Sequence, residues 1–165
     1  MLGIDPGLSR CGYGVVERGR GGALTARACG VIRTPPDDEL PHRLATLNRE
    51  LRALLEEFRP DAVVVERVFF QTNVRTAMSV GQASGLALAA ASEAGCDVAQ
   101  YTANEVKQAV TGYGAASKEQ VGRMVQSLLS LAEVPKPVDA SDALALALTH
   151  HAVHRVTAAA ARAAR

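Results

Sequence analysis

The stretch DAVVVERVFF, residues 61–70, constrains the fold of this 165-residue chain more than any other segment. It follows Pro60, which closes a helical pattern, and its run of three valines indicates a strand buried on both faces. Such a strand must be covered by other elements on each side of its sheet. The rest of the chain is therefore expected to place helices on two faces of one sheet.

The remaining patterns predict a mixed α/β sheet. We expect strands at 1–5, 11–18, 26–33, 61–70 and 96–101, and helices at 41–58, 74–94, 102–110, 117–131 and from 139 onward. Glycine-rich turns join the first three strands into an antiparallel meander, and the later strands alternate with helices. This order predicts an α/β fold with a five-stranded mixed sheet, three antiparallel strands then two parallel ones, and helices on both faces. Residues 1–155 are expected to form one domain, and 156–165 an Ala/Arg-rich C-terminal tail that frays.

Composition restricts the class of protein. The chain has 18 basic and 17 acidic residues, so a nucleic-acid-binding surface would have to be a local feature. Its three cysteines are odd in number and widely spaced, which is typical of a reduced protein with neither a disulfide framework nor a zinc site. We find no pattern of a signal peptide and no apolar run suited to a bilayer. A cytoplasmic protein is expected.

Asp5 ends the first strand within LGIDPGLSRCGYGVV. Asp-Pro-Gly is a common turn former, so the segment could be a plain hairpin turn. Alternatively, the Asp5 carboxylate faces a site, and the small residues that follow let a ligand approach the backbone closely. The choice depends on whether other acids occupy comparable places.

Three further acids occupy such places. Glu66 directly follows the buried valines, where a carboxylate is costly unless it reaches a cation, a partner or solvent; a strand emerging at the sheet edge is the simpler alternative. Asp139 and Asp142 lie three residues apart at a helix start and so share one face. They could also be an N-cap and a favourable charge in the first turn.

The four acids could form one site. If the first and fourth strands are neighbours, Asp5 and Glu66 lie side by side, and the final helix needs only to dock its N-terminus there. Four uncompensated carboxylates would repel one another, which raises their pKa values. Divalent cations with hard oxygen ligands remove that cost, and Mg²⁺ favours a few carboxylates together with phosphate oxygens and water.

Four segments resemble, in order and spacing, the RuvC family of Holliday-junction resolvases: GIDPGLSRCGYGVV, VVVERVFFQTN, EVKQAVTGYGAASKEQV and DASDALALALTHH. The resemblance runs from Leu2 to about His151 and implies an RNase H-like fold. It also implies a homodimer that nicks two strands of like polarity across a four-way DNA junction, with a branch-migration motor of the RuvA and RuvB type as a further partner. The first strand is shorter here than in many members of the family.

By that resemblance the metal-binding catalytic acids are Asp5, Glu66, Asp139 and Asp142. Some relatives carry a histidine at position 139, and an aspartate suits a hard metal at least as well. The implied chemistry is two-metal phosphodiester hydrolysis with two Mg²⁺ ions per site, for which Mn²⁺ could substitute, leaving 5′-phosphate and 3′-hydroxyl ends. Asp5 would bridge both ions because it lies on the central strand.

DNA-binding candidates lie nearby. Lys118 follows Ser117 in a Ser-x-x-Gln pattern after a glycine loop, and free amides, a helix N-terminus and a lysine together favour an anion site. Lys107 belongs to the same basic stretch, and either lysine could instead be a solvated surface charge. Arg75 is a less specific candidate for a contact with the DNA backbone. Phe69, which the resemblance selects from the pair at 69–70, could stack on an unpaired base or belong to the core.

Two other features carry weaker expectations. His150 and His154 are four residues apart, but no third ligand accompanies them, which favours a structural or solvent-facing role. Gly81 and Gly85 lie on one face of a helix rich in small residues and could permit close approach of a second copy.

Three other classes of protein share some of these features. Actin-like sugar kinases and ATPases share the opening hairpin but need a second lobe. A related RNase H-like protein of the YqgF type, acting on RNA, would not be expected to carry VFFQTN and DASDAL together. A non-catalytic junction-binding module or structural dimer conflicts with four acids, because binding to DNA alone would favour losing negative charge.

Overall fold

A computed structural model describes residues 1–67 and 74–163. The strands are β1 Leu2–Asp5, β2 Arg10–Arg18, β3 Leu24–Arg33, β4 Ala62–Glu66 and β5 Asp97–Tyr101. The helices are α1 Leu40–Phe58, α2 Val74–Glu93, α3 Ala103–Thr111, α4 Lys118–Leu128 and α5 Val138–Ala163. No helix in these two ranges is both long and apolar enough to cross a membrane.

The strands form one sheet in the order β3-β2-β1-β4-β5. β1 and β2 pair antiparallel, as do β2 and β3. β1 and β4 pair parallel, as do β4 and β5. This arrangement confirms the predicted mixed sheet and places β1 at its centre, next to β4.

Two hydrophobic cores lie on opposite faces of this sheet. One contains the buried leucines of α1 and the buried alanines of α2, packed on Leu2, Ile4, Val63 and Val65. The other contains apolar residues of α3, α4 and α5, packed on Val16 and Val64. The three valines of β4 are each no more than 1% exposed. The prediction of a strand buried on both faces is therefore confirmed.

Glycines on the second face let α5 lie directly against the strands. A Cβ on Gly3 would stand 1.9 Å from the carbonyl oxygen of Ala143, and one on Gly12 would stand 2.2 Å from that of Asp139. A Cβ on Gly14 would stand 2.7 Å from the backbone nitrogen of Leu144. We expected small residues here to admit a ligand; at Gly12 and Gly14 it is the α5 backbone that approaches.

Two elements end at least three residues before their predicted ends. β4 ends at Glu66, whereas the expected strand continued to residue 70; residues 68–70 lie outside the described part of the chain. α4 ends at Leu128, three residues before the expected end. Ser130 adopts a left-handed conformation with φ of 51°, which an α-helix cannot continue through.

Candidate active site

Asp5 and Glu66 are neighbours at the ends of the two central parallel strands. Ile4 pairs with Val65, so the residues that follow them, Asp5 and Glu66, lie side by side at the same end of the sheet. Side chains alternate along a strand, and Asp5 therefore shares a face with Gly3, which α5 covers. Glu66 shares a face with Val64, which belongs to the same core. Both acids thus point toward the face on which α5 packs.

The environment of Asp5 disfavours its negative charge. Burial and the neighbouring Glu66 carboxylate raise the pKa of Asp5 well above its ordinary value, and Asp142 adds a smaller repulsion. The Lys118 ammonium acts in the opposite direction. Burial of a carboxylate beside other carboxylates is an arrangement typical of functional sites.

The other two acids come from the first turn of α5. The helix begins at Val138, so Asp139 lies inside its first turn and not at an N-cap. Lys118 donates to the Oδ2 atom of Asp142 over 2.6 Å. Because α5 packs on Gly12, the backbone of Asp139 lies at the end of the sheet where Asp5 lies.

Arg10 is a site residue that sequence reasoning missed. Its Nε and Nη2 atoms both donate to Oδ2 of Asp139, the former over 3.2 Å. The guanidinium thereby lowers the pKa of Asp139, so the expectation that repulsion raises the pKa of all four acids is wrong for this one. The hairpin register is a signal that could have revealed Arg10: Asp5 pairs with Gly12, and Arg10 therefore lies just beyond the end of β1.

Lys118 occupies the predicted helix start. Ser117 caps α4, and Ser117 and Gln120 form the complete capping box expected from the Ser-x-x-Gln pattern. Lys118 is the first residue of that helix, and its hydrogen bond with Asp142 raises the pKa of its ammonium group. The structure therefore brings Lys118 to an acid of the site.

The structure does not unite the remaining DNA-binding candidates with the acids. Lys107 is half-buried on α3, and no ion pair joins it to any of the four acids, all of which lie in the described ranges. Arg75 is in the first turn of α2, and its side chain is outside the description. Phe69 lies outside the described residues altogether. These three assignments stay predictions.

The HHAVH segment lies on α5, away from the acids. The Nδ1 atom of His150 is 3.0 Å from the Tyr101 hydroxyl, and its ring meets that of His154 edge to face at 4.6 Å between centroids. Burial, followed by the charge of His154, lowers the pKa of His150. A buried histidine bonded to a tyrosine has the structural role that the sequence favoured.

The donor set of the site suits a hard divalent cation. Carboxylate oxygens are what Mg²⁺ prefers, and the raised pKa of Asp5 shows how unfavourable its charge is without a nearby cation. Within 1–67 and 74–163, no three acidic, histidine or cysteine side chains already stand close enough to hold a metal. Arg10 and Lys118 are the counter-charges on the two α5 acids instead.

Comparisons with known proteins agree with this architecture. Residues 1–150 match the family profile of the crossover junction endodeoxyribonuclease RuvC. The protein of that name from Salinispora arenicola is 59% identical over 150 residues, covering 91% of this chain and 86% of that protein. The Thermus thermophilus RuvC structure is 42% identical with a TM-score of 0.86, covering 95% of this chain and 97% of that one. T. thermophilus RuvC in complex with Holliday junction substrate is 40% identical with a TM-score of 0.88, covering 94% of each chain.

A mixed five-stranded sheet of this order, with acids at the ends of its central strands, defines the chain as a protein of the RNase H-like class. Within that class the match over 150 residues is specific. The chain belongs to the RuvC family of crossover junction endodeoxyribonucleases.

Proposed function

We propose that this chain is a structure-specific endonuclease that resolves four-way DNA junctions. It nicks two strands of like polarity symmetrically and leaves 5′-phosphate and 3′-hydroxyl ends, in recombination and DNA repair. The observation that carries the proposal is the side-by-side placement of Asp5 and Glu66 at the central strand ends, with Asp142 close enough to raise the pKa of Asp5. Membership of the RuvC family supports the choice of substrate.

Asp5, Glu66, Asp139 and Asp142 are the residues that would hold two Mg²⁺ ions, with Mn²⁺ as a substitute. Bound there, such ions supply Lewis acidity and make a water nucleophilic at neutral pH. Asp5 would serve both ions, and the central position of β1 in the sheet supports this assignment.

The basic side chains at the rim have a separate task. Lys118 lies at the N-terminus of α4, where backbone N–H groups also attract anions, so it can move from Asp142 to a DNA phosphate. Lys107, Arg75 and Phe69 are proposed as further DNA contacts, the last by stacking on an unpaired base.

The active form is proposed to be a homodimer. The exposed face of α2 carries Gly81 and Gly85, and a Cβ added to either would meet nothing within 4 Å in the described chain. Met78, on the same face, is 62% exposed. A Gly85→Gln variant should therefore keep its fold but sediment as a monomer. A dimeric Gly85→Gln protein would place the interface elsewhere.

A cleavage assay tests the proposed function. Purified protein is incubated with a synthetic four-way junction, a linear duplex and an RNA·DNA hybrid, each with and without Mg²⁺. Symmetric nicking of the junction alone, in Mg²⁺ alone, supports the proposal. Cleavage of the hybrid would favour an RNA-directed enzyme of the YqgF type, and binding without cleavage would indicate a non-catalytic module.

Variants of the acids sharpen that assay. Asp5→Asn, Glu66→Gln and Asp142→Asn should each abolish nicking and preserve junction binding, because loss of negative charge does not weaken phosphate attraction. A variant that cuts normally would remove its acid from the site. A cytoplasmic location, a branch-migration motor of the RuvA and RuvB type as partner, and a separate tail from residue 156 complete the proposal.

A further inference from the structure

We propose that Arg10 is a positioning residue for Asp139: it holds one carboxylate oxygen so that the other is presented to a divalent cation. This inference rests on the proposed function, since it assigns a task to a residue beside the acids. Both donors of the guanidinium lie on Oδ2 of Asp139, the Nε contact being 3.2 Å. Neither hydrogen bond from Arg10 uses Oδ1, and this is the oxygen that we propose faces the cation.

The pair is too exposed to be a device for stability. The side chains of Arg10 and Asp139 are 45% and 27% exposed, at the rim of the site. Ion pairs in such surroundings contribute little to the free energy of folding. What a planar guanidinium with two donors on one oxygen does provide is position: it fixes Oδ2 and so limits the directions in which Oδ1 can point.

The backbone of Arg10 is itself held in place. Arg43 of α1 donates through Nη2 to the Ser9 hydroxyl over 2.6 Å and through Nε to the Thr34 hydroxyl over 3.0 Å. Thr34, only 3% exposed, in turn donates to the carbonyl oxygen of Leu8 over 2.6 Å. The turn between β1 and β2 is thereby tied to α1 immediately before Arg10.

The partner of Arg10 is equally restrained. A Cβ on Gly12 would stand 2.2 Å from the carbonyl oxygen of Asp139, so the first turn of α5 rests on β2 two residues beyond Arg10. Both ends of the ion pair therefore belong to fixed backbone. Lys118 differs, since a single ammonium on a side chain that is 70% exposed contacts Asp142 and can leave it easily.

Orientation and charge predict opposite effects on cation binding. If Arg10 acted only as a nearby positive charge, its removal would tighten the binding of Mn²⁺ or Mg²⁺. If it orients Asp139, its removal should weaken that binding, since loss of a partner that orients a metal ligand weakens metal affinity about 10–100-fold. The two accounts can therefore be separated by the sign of the change.

The test is a calorimetric titration of Mn²⁺ into protein without DNA. Arg10→Gln should bind the ion about 10-fold or more weakly than the wild type, with an unchanged melting temperature. Arg10→Lys keeps the charge but loses the two-donor geometry, so it should also bind more weakly. Arg27→Gln is the matched control, because Arg27 on β3 pairs with Glu17 on β2. This variant should bind Mn²⁺ as the wild type does.

Junction binding without divalent cations supplies a second measurement. If Arg10 holds Asp139, the salt dependence of binding should be the same for Arg10→Gln and Arg27→Gln. A slope smaller by about one for Arg10→Gln would instead place Arg10 on a DNA phosphate and overturn the inference. Equal or tighter Mn²⁺ binding by Arg10→Gln would overturn it as well.

The inference and the proposed function fail in different ways. Wild-type protein that binds no Mn²⁺ and cuts no junction would overturn the proposed function and this inference with it. Wild-type protein that binds Mn²⁺ and cuts, beside an Arg10→Gln protein with the same affinity, would overturn the inference alone.

Discussion

Asp5→Asn should make the metal-free protein more stable, even though the variant removes a residue proposed to be essential. Burial and Glu66 raise the folded-state pKa of Asp5 from an ordinary 3.8 to about 8. Between those pH values the native state holds a proton that the unfolded state releases, so stability is lost as the pH rises. Asparagine cannot ionise, and its amide can donate to the Glu66 carboxylate as the protonated Asp5 carboxyl does.

The size of the effect follows from the pKa difference. Each pH unit above the ordinary value costs about 1.4 kcal/mol, so the upper limit at pH 7 is about 4 kcal/mol. Water at the open rim of the site screens part of the charge, and we expect a gain of about 2–4 kcal/mol. For a chain of this size that corresponds to roughly 4–16 °C in melting temperature.

Thermal melts in EDTA at pH 5 and pH 8 measure this gain. The difference between Asp5→Asn and the wild type should be small at pH 5 and should grow toward pH 8. Asp139→Asn is the matched control: its carboxylate lies at the exposed rim beside Arg10, which lowers its pKa, so this variant should show no gain in stability that grows with pH. The reasoning would be refuted if Asp5→Asn melted no higher than the wild type, or if the difference in melting temperature were the same at both pH values.

Three other changes test the fold and the DNA contacts. Gly3→Ala forces a methyl group to within 1.9 Å of the Ala143 carbonyl oxygen and should lower stability by at least about 1–3 kcal/mol in a denaturant titration. Lys118→Ala should slow nicking and reduce the salt slope of junction binding by about one. Phe69→Ala should melt like the wild type but cut intact junctions poorly, because it loses about 1–3 kcal/mol of base stacking. A junction with unpaired bases at its centre should restore much of that rate.

Each of these has a control in the same chain. Gly19→Ala meets only an ordinary contact of 3.6 Å and should be tolerated; equal loss in both glycine variants would remove α5 packing as the cause. Arg27→Ala should leave the nicking rate and the salt slope of junction binding unchanged. If Lys118→Ala behaved in the same way, Lys118 would be a solvated surface charge that does not contact DNA. Phe58 is a partly buried residue that packs against the core. Phe58→Ala should therefore lose stability without any rescue by a loosened junction, and the same pattern for Phe69→Ala would mean that Phe69 has a packing role.

Local patterns were sufficient to predict the buried strand and the helix cap. A run of valines after Pro60 predicts a strand buried on both faces, because no polar residue interrupts it, and the structure confirms that burial. Capping of α4 by Ser117 and Gln120 was equally predictable, since both hydrogen bonds of a capping box join residues three apart in the chain. Interactions of this range depend on few neighbours in sequence and so can be deduced from it.

Proximity of Asp5 and Glu66 was predictable in part. The sequence pattern indicated that each acid ends a strand. The two acids lie together only if those two strands are neighbours in the sheet. The pairing of Ile4 with Val65 supplies that condition. Sheet order depends on the packing of the whole chain and is not encoded at either residue.

Whether the pKa of each acid is raised or lowered was decided by the tertiary structure alone. As isolated carboxylates, Asp5 and Asp139 are chemically alike, and the sequence offered one expectation for both. Burial beside Glu66 raises the pKa of the first, whereas Arg10, 129 residues away from its partner in the chain, lowers the pKa of the second. An electrostatic interaction depends on distance and desolvation in space, and a sequence specifies neither until the chain has folded.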